Sequence, residues 1–324
     1  MKKLLLILLC LPMLVFGQVN LKTYVPDDNF ENILEFNGWG DGIALNDSVN
    51  TLSVEMLMSL DVSNENISDL TGIEDFTSLL MLKCYSNPLT SIDVSNNIYL
   101  TDLRCQSNQL TSLDVSQNTA LKTLFCFSNS LTTLDVSSNT ALTHLYSHSN
   151  QFISFDVSQN TDLYFLQCQS NQLTTLDVST NTALQYLYCY SNQLTSLDVS
   201  NDTTLKELRC QDNQLTSLDL RNGNNTNMPT FTISFNATNN PNLYCINVDD
   251  VFWSTTNWTV ANGSINTQHY FSNNCTSTVI EEYNANKGIL KITDLLGRET
   301  TDIKNKVLFY IYDDDTVEKK IIIE

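Results

Sequence analysis

The tetrapeptide Leu-Asp-Val-Ser, or a close variant, begins at Ile92, Leu113, Leu134, Phe155, Leu176 and Leu197, a step of 21 residues each time, and Leu218-Asp-Leu follows. A further copy begins at Leu60. Units held in register at that length make a chain of like coils, each contacting only its neighbours. The whole unit reads Leu-x-x-Leu-x-Cys-x-x-Asn-x-Leu-Thr-x-Leu-Asp-Val-Ser-x-Asn-Thr-Ala, as in Leu121 to Ala141. Alternating apolar residues such as Leu124 and Cys126 predict a short strand with one face inward, and successive coils then stack about 4.8 Å apart. About ten residues remain for the return path, fewer than a helix with two loops would take. The convex side is therefore expected to be extended, with Leu134 and Val136 pointing in.

The unit resembles the bacterial leucine-rich repeat over about residues 57–222, where eight units keep register and one of 22 residues runs from Leu57 through Phe76 to Leu79. The resemblance implies a β-rich leucine-rich-repeat solenoid with a parallel concave sheet. The Asn column (Asn87, Asn108, Asn129, Asn150, Asn171, Asn192, Asn213) follows each strand, where its amide can bond to backbone groups that the turn leaves unpaired. Glu65 stands in that slot in the first unit. Within residues 18–56, Val25-Pro-Asp-Asp-Asn-Phe30 starts an amphipathic helix whose Phe30, Ile33 and Leu34 share one face, as an N-terminal cap of the core requires. The period fails after Leu218, and residues 223–275, with Asn-rich turns, Trp253 and Trp258, are expected to form a C-terminal cap.

Both ends carry address signals. Lys2 and Lys3 precede an apolar run from Leu4 to Phe16 that is too short to span about 30 Å of hydrocarbon and ends at Gly17. Residues 1–17 are expected to be a signal peptide, and no later stretch is apolar enough to be a transmembrane segment. Cys10 lies inside the run, not behind a small residue at its end, so export is favoured over lipidation. At the other end Lys returns, and strand-like runs appear at Ile289 to Ile292, Val307 to Tyr312 and Lys320 to Ile323. Leu290-Lys-Ile-Thr-Asp-Leu-Leu-Gly-Arg-Glu299, Leu308-Phe-Tyr-Ile-Tyr-Asp313 and Val317-Glu-Lys-Lys-Ile-Ile-Ile-Glu324 resemble the C-terminal type A sorting domain of the type IX secretion system of Bacteroidota. The resemblance implies a small β-sandwich over residues 276–324, with residues 279–324 read by the type IX translocon. The destination implied is the outer cell surface or the medium, after passage through the inner membrane.

The chain carries 36 acidic and 16 basic residues, a net charge of −20, and no basic patch, which argues against nucleic acid and anionic lipid as partners. Cys84, Cys105, Cys126, Cys168, Cys189 and Cys210 recur at one register, interrupted by Ser147. In-register neighbours about 4.8 Å apart are too distant for the roughly 3.5–4.5 Å Cβ separation of a disulfide, so the column reads as small buried hydrophobes. Cys245 and Cys275 lie outside it; a bridge between them would close a loop worth roughly 3.5 kcal/mol, and two free thiols are equally compatible with the sequence. Asp93, Asp114, Asp135, Asp156, Asp177, Asp198 and Asp219 form a convex column, but one carboxylate per coil makes no calcium cage. His144 and His148 are four residues apart on a strand, about 13 Å, too far to share a metal. No nucleophile elbow, paired-acid site or phosphate loop appears. No cofactor, metal or catalytic residue is expected.

The variable positions of the strand are more telling. Positions three, five and seven of each unit project from the concave sheet, and they bring together Tyr85, Arg104, Phe125, Phe127, His144, Tyr146, His148, Phe165, Tyr186, Tyr188, Tyr190 and Arg209. Aromatic residues on an exposed sheet have no core to fill and suit an interface, although a sheet also favours them by propensity alone. The expected function is an exported, non-catalytic recognition scaffold that binds a protein or a glycan at the cell surface through this face. Its rivals are a structural, self-assembling surface protein and an enzyme with its site in the caps.

Overall fold

The computed structural model describes residues 21–229, 234–275, 289–293, 299–300, 307–312 and 317–321. The expected signal peptide lies outside these residues, as does much of the expected sorting segment. The chain divides into two units, residues 1–274 and 275–324.

The first unit opens with β1 (Lys22–Tyr24), α1 (Asp28–Phe36), the antiparallel partner β2 (Ser48–Asn50) and the short α2 (Thr51–Val54). Asp27 caps α1: its Oδ1 accepts from the Asn29 and Phe30 amides at 3.0 Å, filling the acceptor role that a helix start leaves open. Its Oδ2 accepts from the Ser68 amide and hydroxyl at 2.8 Å, which ties the helix to the first coil. Phe30 and Leu34 are fully buried, with Phe30 stacked 6.0 Å from Phe76. The helix dipole and the loop after it are also served by buried Glu31, whose two oxygens accept from the Asn46 and Asp47 amides.

The coils follow. Parallel strands β3 (Ser59–Asp61), β4 (Met81–Lys83), β5 (Asp102–Arg104), β6 (Thr123–Phe125), β7 (His144–Tyr146), β8 (Phe165–Gln167) and β9 (Tyr186–Tyr188) pair in sequence order. Then β10 (Ser196–Asp198) is convex, β11 (Glu207–Arg209) returns to the concave sheet, and β12 (Ser217–Asp219) pairs with β10. Past the last 21-residue unit the winding continues: β13 (Phe235–Asn236) pairs with β11, β14 (Cys245–Asn247) with β12, and, after α3 (Val251–Asn257), β15 (Tyr270–Ser272) with β14. The result is a nine-stranded concave sheet and a four-stranded convex one. The convex path of the earlier coils is extended without ladder pairing, and Leu134 and Val136 point inward as the return length requires.

One register differs from the repeat reading. Leu60 pairs with Leu82, so the first Leu-Asp-Val-Ser is a concave strand and does not belong with the convex copies from Ile92 onward. Leu60 and Val62 are buried as Leu82 and Cys84 are, and any Leu-x-Val alternation can serve either wall. The first coil's convex segment instead runs on to a 3-10 turn at Ile73–Asp75, and the unit's extra residue falls between Ile67 and Ile73, since the Ile73 and Phe76 carbonyls already meet Asn97 at the spacing that Val94 and Asn97 keep with Asn118.

Two asparagine ladders hold the coils. In the expected one, Asn108 Nδ2 donates to the carbonyls of Cys84 (3.1 Å) and Cys105 (3.0 Å), while its Oδ1 accepts from the Leu89 amide. The pattern persists to Asn240, beyond the regular repeats. The second ladder, Asn97, Asn118, Asn139, Asn160 and Asn181, is fully buried on the opposite turn. Asn139 Nδ2 donates to the carbonyls of Val115 and Asn118, both at 2.9 Å. The convex aspartates have local duties: Asp114, Asp135 and Asp177 each accept the amide of the serine two residues on, at 2.9 Å.

The second unit contains an antiparallel three-stranded sheet of β16 (Ile289–Thr293), β17 (Val307–Tyr312) and β18 (Val317–Ile321).

Candidate recognition face

Because side chains alternate across a strand, Leu103, Leu124, Leu145, Leu166, Leu187 and Leu208 fill the core while their neighbours stand on the concave surface. Parallel register then places like positions directly above one another. Arg104, Phe125 and Tyr146 follow in this way on β5, β6 and β7. The guanidinium of Arg104 lies 5.0 Å over the Phe125 ring. Phe125 stacks on Tyr146 at 4.1 Å and 9°, and Tyr146 on Phe165 at 5.2 Å and 26°. Phe165 in turn stacks on Tyr186 at 5.2 Å and meets Tyr188 edge-on at 5.5 Å. Arg209 closes the series 4.9 Å over Tyr188.

The band is thus bracketed by two arginines, and each is held by an acid two residues earlier on its own strand. Arg104 Nε and Nη2 donate to the Asp102 carboxylate at 3.0 and 2.9 Å, and Arg209 Nε donates to Glu207 Oε1 at 2.6 Å. Alternation puts residues two apart on one face, so Asp102 and Glu207 were findable as partners from the pattern Asp-Leu-Arg and Glu-Leu-Arg.

A parallel row crosses the outer register, where Phe127 stacks on His148 at 4.3 Å and 14°. His144 lies 6.3 Å from Phe165 and 5.6 Å from Tyr164, which in turn lies 5.5 Å from Tyr186. Tyr164 precedes its strand, so counting concave positions alone passes over it. Tyr85 and Tyr190 are half-buried on the same face, outside the stacked chain.

These rings are half-buried, not exposed as a bare apolar patch would be, because each shields the next. Stacking along the solenoid axis turns the ring planes across it, so faces are occupied by neighbours and edges and hydroxyls meet solvent. Burial pushes the His144 and His148 imidazoles down from the ordinary histidine value, which keeps them neutral near pH 7. Burial also raises the Tyr146 phenol, against the pull of Arg104. Tyr188 is pushed up to about 12, by burial and then by Glu207. At neutral pH the face offers uncharged donors, acceptors and ring edges between two internally paired cations.

The cysteine column lies behind this face. Cys84, Cys105, Cys126, Cys168, Cys189 and Cys210 are fully buried free thiols, and the Cys126 Sγ donates to the Tyr146 carbonyl at 3.6 Å. Ser147 substitutes in that column, its hydroxyl donating to the Gln167 carbonyl at 3.2 Å. Among the described residues no group of three or more His, Cys, Asp or Glu is placed to hold a metal ion, and no helix is long and apolar enough to cross a membrane.

No family model matches the chain. Internalin J of Listeria monocytogenes serotype 4b (strain F2365) is 42% identical over 74 residues, 23% of this chain and 8% of that protein. The solved functional domain of internalin J from Listeria monocytogenes, which includes a cysteine ladder, is similar at a TM-score of 0.60 and 36% identity, over 71% of this chain and 52% of that one. The chain therefore spans about half of that solved domain and less than a tenth of the curated relative.

Proposed function

We propose that this leucine-rich-repeat protein is an exported, non-catalytic recognition scaffold whose concave aromatic band binds a polypeptide. The observation that carries the reading is the continuous series from Arg104 through Phe125, Tyr146, Phe165 and Tyr188 to Arg209. A ring whose two faces are covered cannot offer them to the C–H bonds of a sugar. Its edge and its hydroxyl can still meet backbone amides and apolar side chains, and such buried aromatic anchors carry most of the energy of protein interfaces. Likeness to internalin J, a leucine-rich-repeat protein of a bacterium, supports the same direction.

A glycan reading keeps one specific support. Tyr164 is tilted 37° and 55° from its ring neighbours, and with His144, Asp162 and Gln185 it lines a shallow groove of about 470 Å³. The resemblance of residues 279–324 to a sorting domain, together with the antiparallel sheet there, supports translocon recognition and delivery to the outer surface. Pairing of Cys245 with Cys275 belongs to the same proposal.

The test is capture of partners from surface extracts and from glycan libraries by the full chain and by a Phe125→Ala, Tyr146→Ala, Tyr188→Ala variant of equal circular dichroism. A polypeptide partner lost only in the variant supports the reading. Partners retained by both proteins move the site to the convex side or the caps, and glycan capture lost on Tyr164→Ala replaces the polypeptide by a sugar. Self-association abolished by the triple substitution favours the structural rival.

A further inference from the structure

Asp202 occupies the slot that asparagine fills in the five preceding coils. Its backbone behaves as theirs does: the Asp202 amide donates to Val199 and its carbonyl accepts from Leu205, as Asn181 does with Val178 and Leu184. The side chain does not. Each asparagine fills the slot with an amide nitrogen that donates backwards, as Asn181 does to the carbonyls of Val157 and Asn160 at 2.9 Å. Asp202 is fully buried and both its carboxylate oxygens lack a hydrogen-bond partner. By the period of the ladder, the groups waiting there are the carbonyls of Val178 and Asn181, which are acceptors. An ionised carboxylate would set lone pairs against lone pairs, whereas a protonated one supplies the missing donor.

We propose that Asp202 is a pH-operated latch: as a neutral acid it donates its proton to the carbonyl of Val178 or Asn181, and its ionisation loosens the coil that leads into β11. That strand carries Glu207 and Arg209, the C-terminal bracket of the aromatic band. The consequence for binding rests on the recognition reading above; the latch itself does not.

The surroundings agree with the geometry. Burial, and then the charge of Asp198, push the Asp202 carboxyl up to about 8. Asp198 stands on β10, beside Asp177 of the preceding coil on one convex groove. From the following coil come Asp219 of β12 and Arg221, which are paired with each other, and Lys206 on the outgoing turn is exposed. Thus, among the described residues, no cation is paired with Asp202, and its proton is held by desolvation.

The experiment compares the full chain with Asp202→Asn, which restores the ladder residue, and with Asp202→Ala, which neither donates nor titrates. Carboxyl carbon shifts of aspartate-labelled protein, assigned by difference from Asp202→Asn, should give a midpoint above pH 6; a midpoint below 6 overturns the latch. Amide exchange at Leu205, Glu207 and Leu208, read as the ratio of the native chain to Asp202→Asn at equal pH, should rise at least tenfold between pH 5 and pH 9. The ratio of Asp202→Ala to Asp202→Asn should stay constant over that range. A native ratio that does not change with pH, or an alanine ratio that climbs equally, overturns the proposal.

Discussion

Phe125 and Tyr146, one coil apart, stack with 4.1 Å between ring centroids and 9° between planes. The strands that carry them are spaced at about 4.8 Å, so the rings lean towards each other from their own backbones. Their contact should therefore hold energy that neither ring has alone. In a double-mutant cycle with Phe125→Ala and Tyr146→Ala, the coupling is expected at about 0.5–1.5 kcal/mol, measured by urea unfolding. Additive substitutions would mean that the rings only share a surface.

The turn after each strand makes a second prediction. Ser86, Ser107, Ser128, Ser149, Ser170 and Ser191 all sit at φ between 53° and 56°, in the left-handed region. A non-glycine residue there costs roughly 1–2 kcal/mol, and asparagine, aspartate and glycine bear it best. Asn64, Asp212 and Asn239 hold the corresponding place elsewhere. Ser128→Asn is expected to raise the thermal midpoint by about 1–2 °C and Ser128→Val to lower it by more, with scanning calorimetry as the check.

Those serines mark the boundary of what a sequence can say. The period, the inward leucines and the first asparagine column were legible because repetition reports the same environment several times over. The αL turn was not, since Ser carries no propensity for it; the conformation is imposed by the asparagine that follows, whose amide already bonds three carbonyls. For Asn108 these are Cys84, Cys105 and Gln106. The buried second ladder was visible as Asn-Thr-Ala but has the polar look of a loop, and only stacking reveals that its amide is inside. On the concave face the residues were predictable and their mutual stacking was not, because ring orientation depends on neighbours 21 residues away. The first coil misled for a different reason: Leu60-Asp-Val-Ser matches the convex motif by identity while its neighbour Leu82 fixes it in the concave sheet.

Six thiols buried behind the band should be chemically silent. Cys105 and Cys189 are pushed up to about 12 by burial, and Cys84, Cys126, Cys168 and Cys210 are raised in the same direction. Since the thiolate is the reactive species, Ellman's reagent at pH 8 should find none of the six in the folded chain and all six in guanidinium. Rapid labelling without unfolding would show that the coils open locally.

Acid should act at the opposite end from Asp202. Asp27 is partly buried, which pushes its carboxyl up, but hydrogen bonds from Ser68, Phe30 and Asp69 outweigh that and leave it below the ordinary aspartate value. A carboxyl depressed in the folded chain stabilises above its unfolded value and loses that contribution as pH falls through the folded one. Asp202 has the reverse sign: its folded value lies above the unfolded one, so stability falls as pH rises from about 4 towards 8. Taken by themselves, the two groups favour weakly acidic solution over either extreme. Asp27→Ala removes a helix cap and the tie to Ser68, and should cost about 1–3 kcal/mol at pH 6. Its penalty should shrink between pH 4 and pH 2, where the native carboxylate is itself being protonated, while Asp202, present in both proteins, cancels from the difference. Urea midpoints of the two proteins across that interval are the measurement. A penalty that stays constant down to pH 2 would mean that the cap works equally well as a neutral acid.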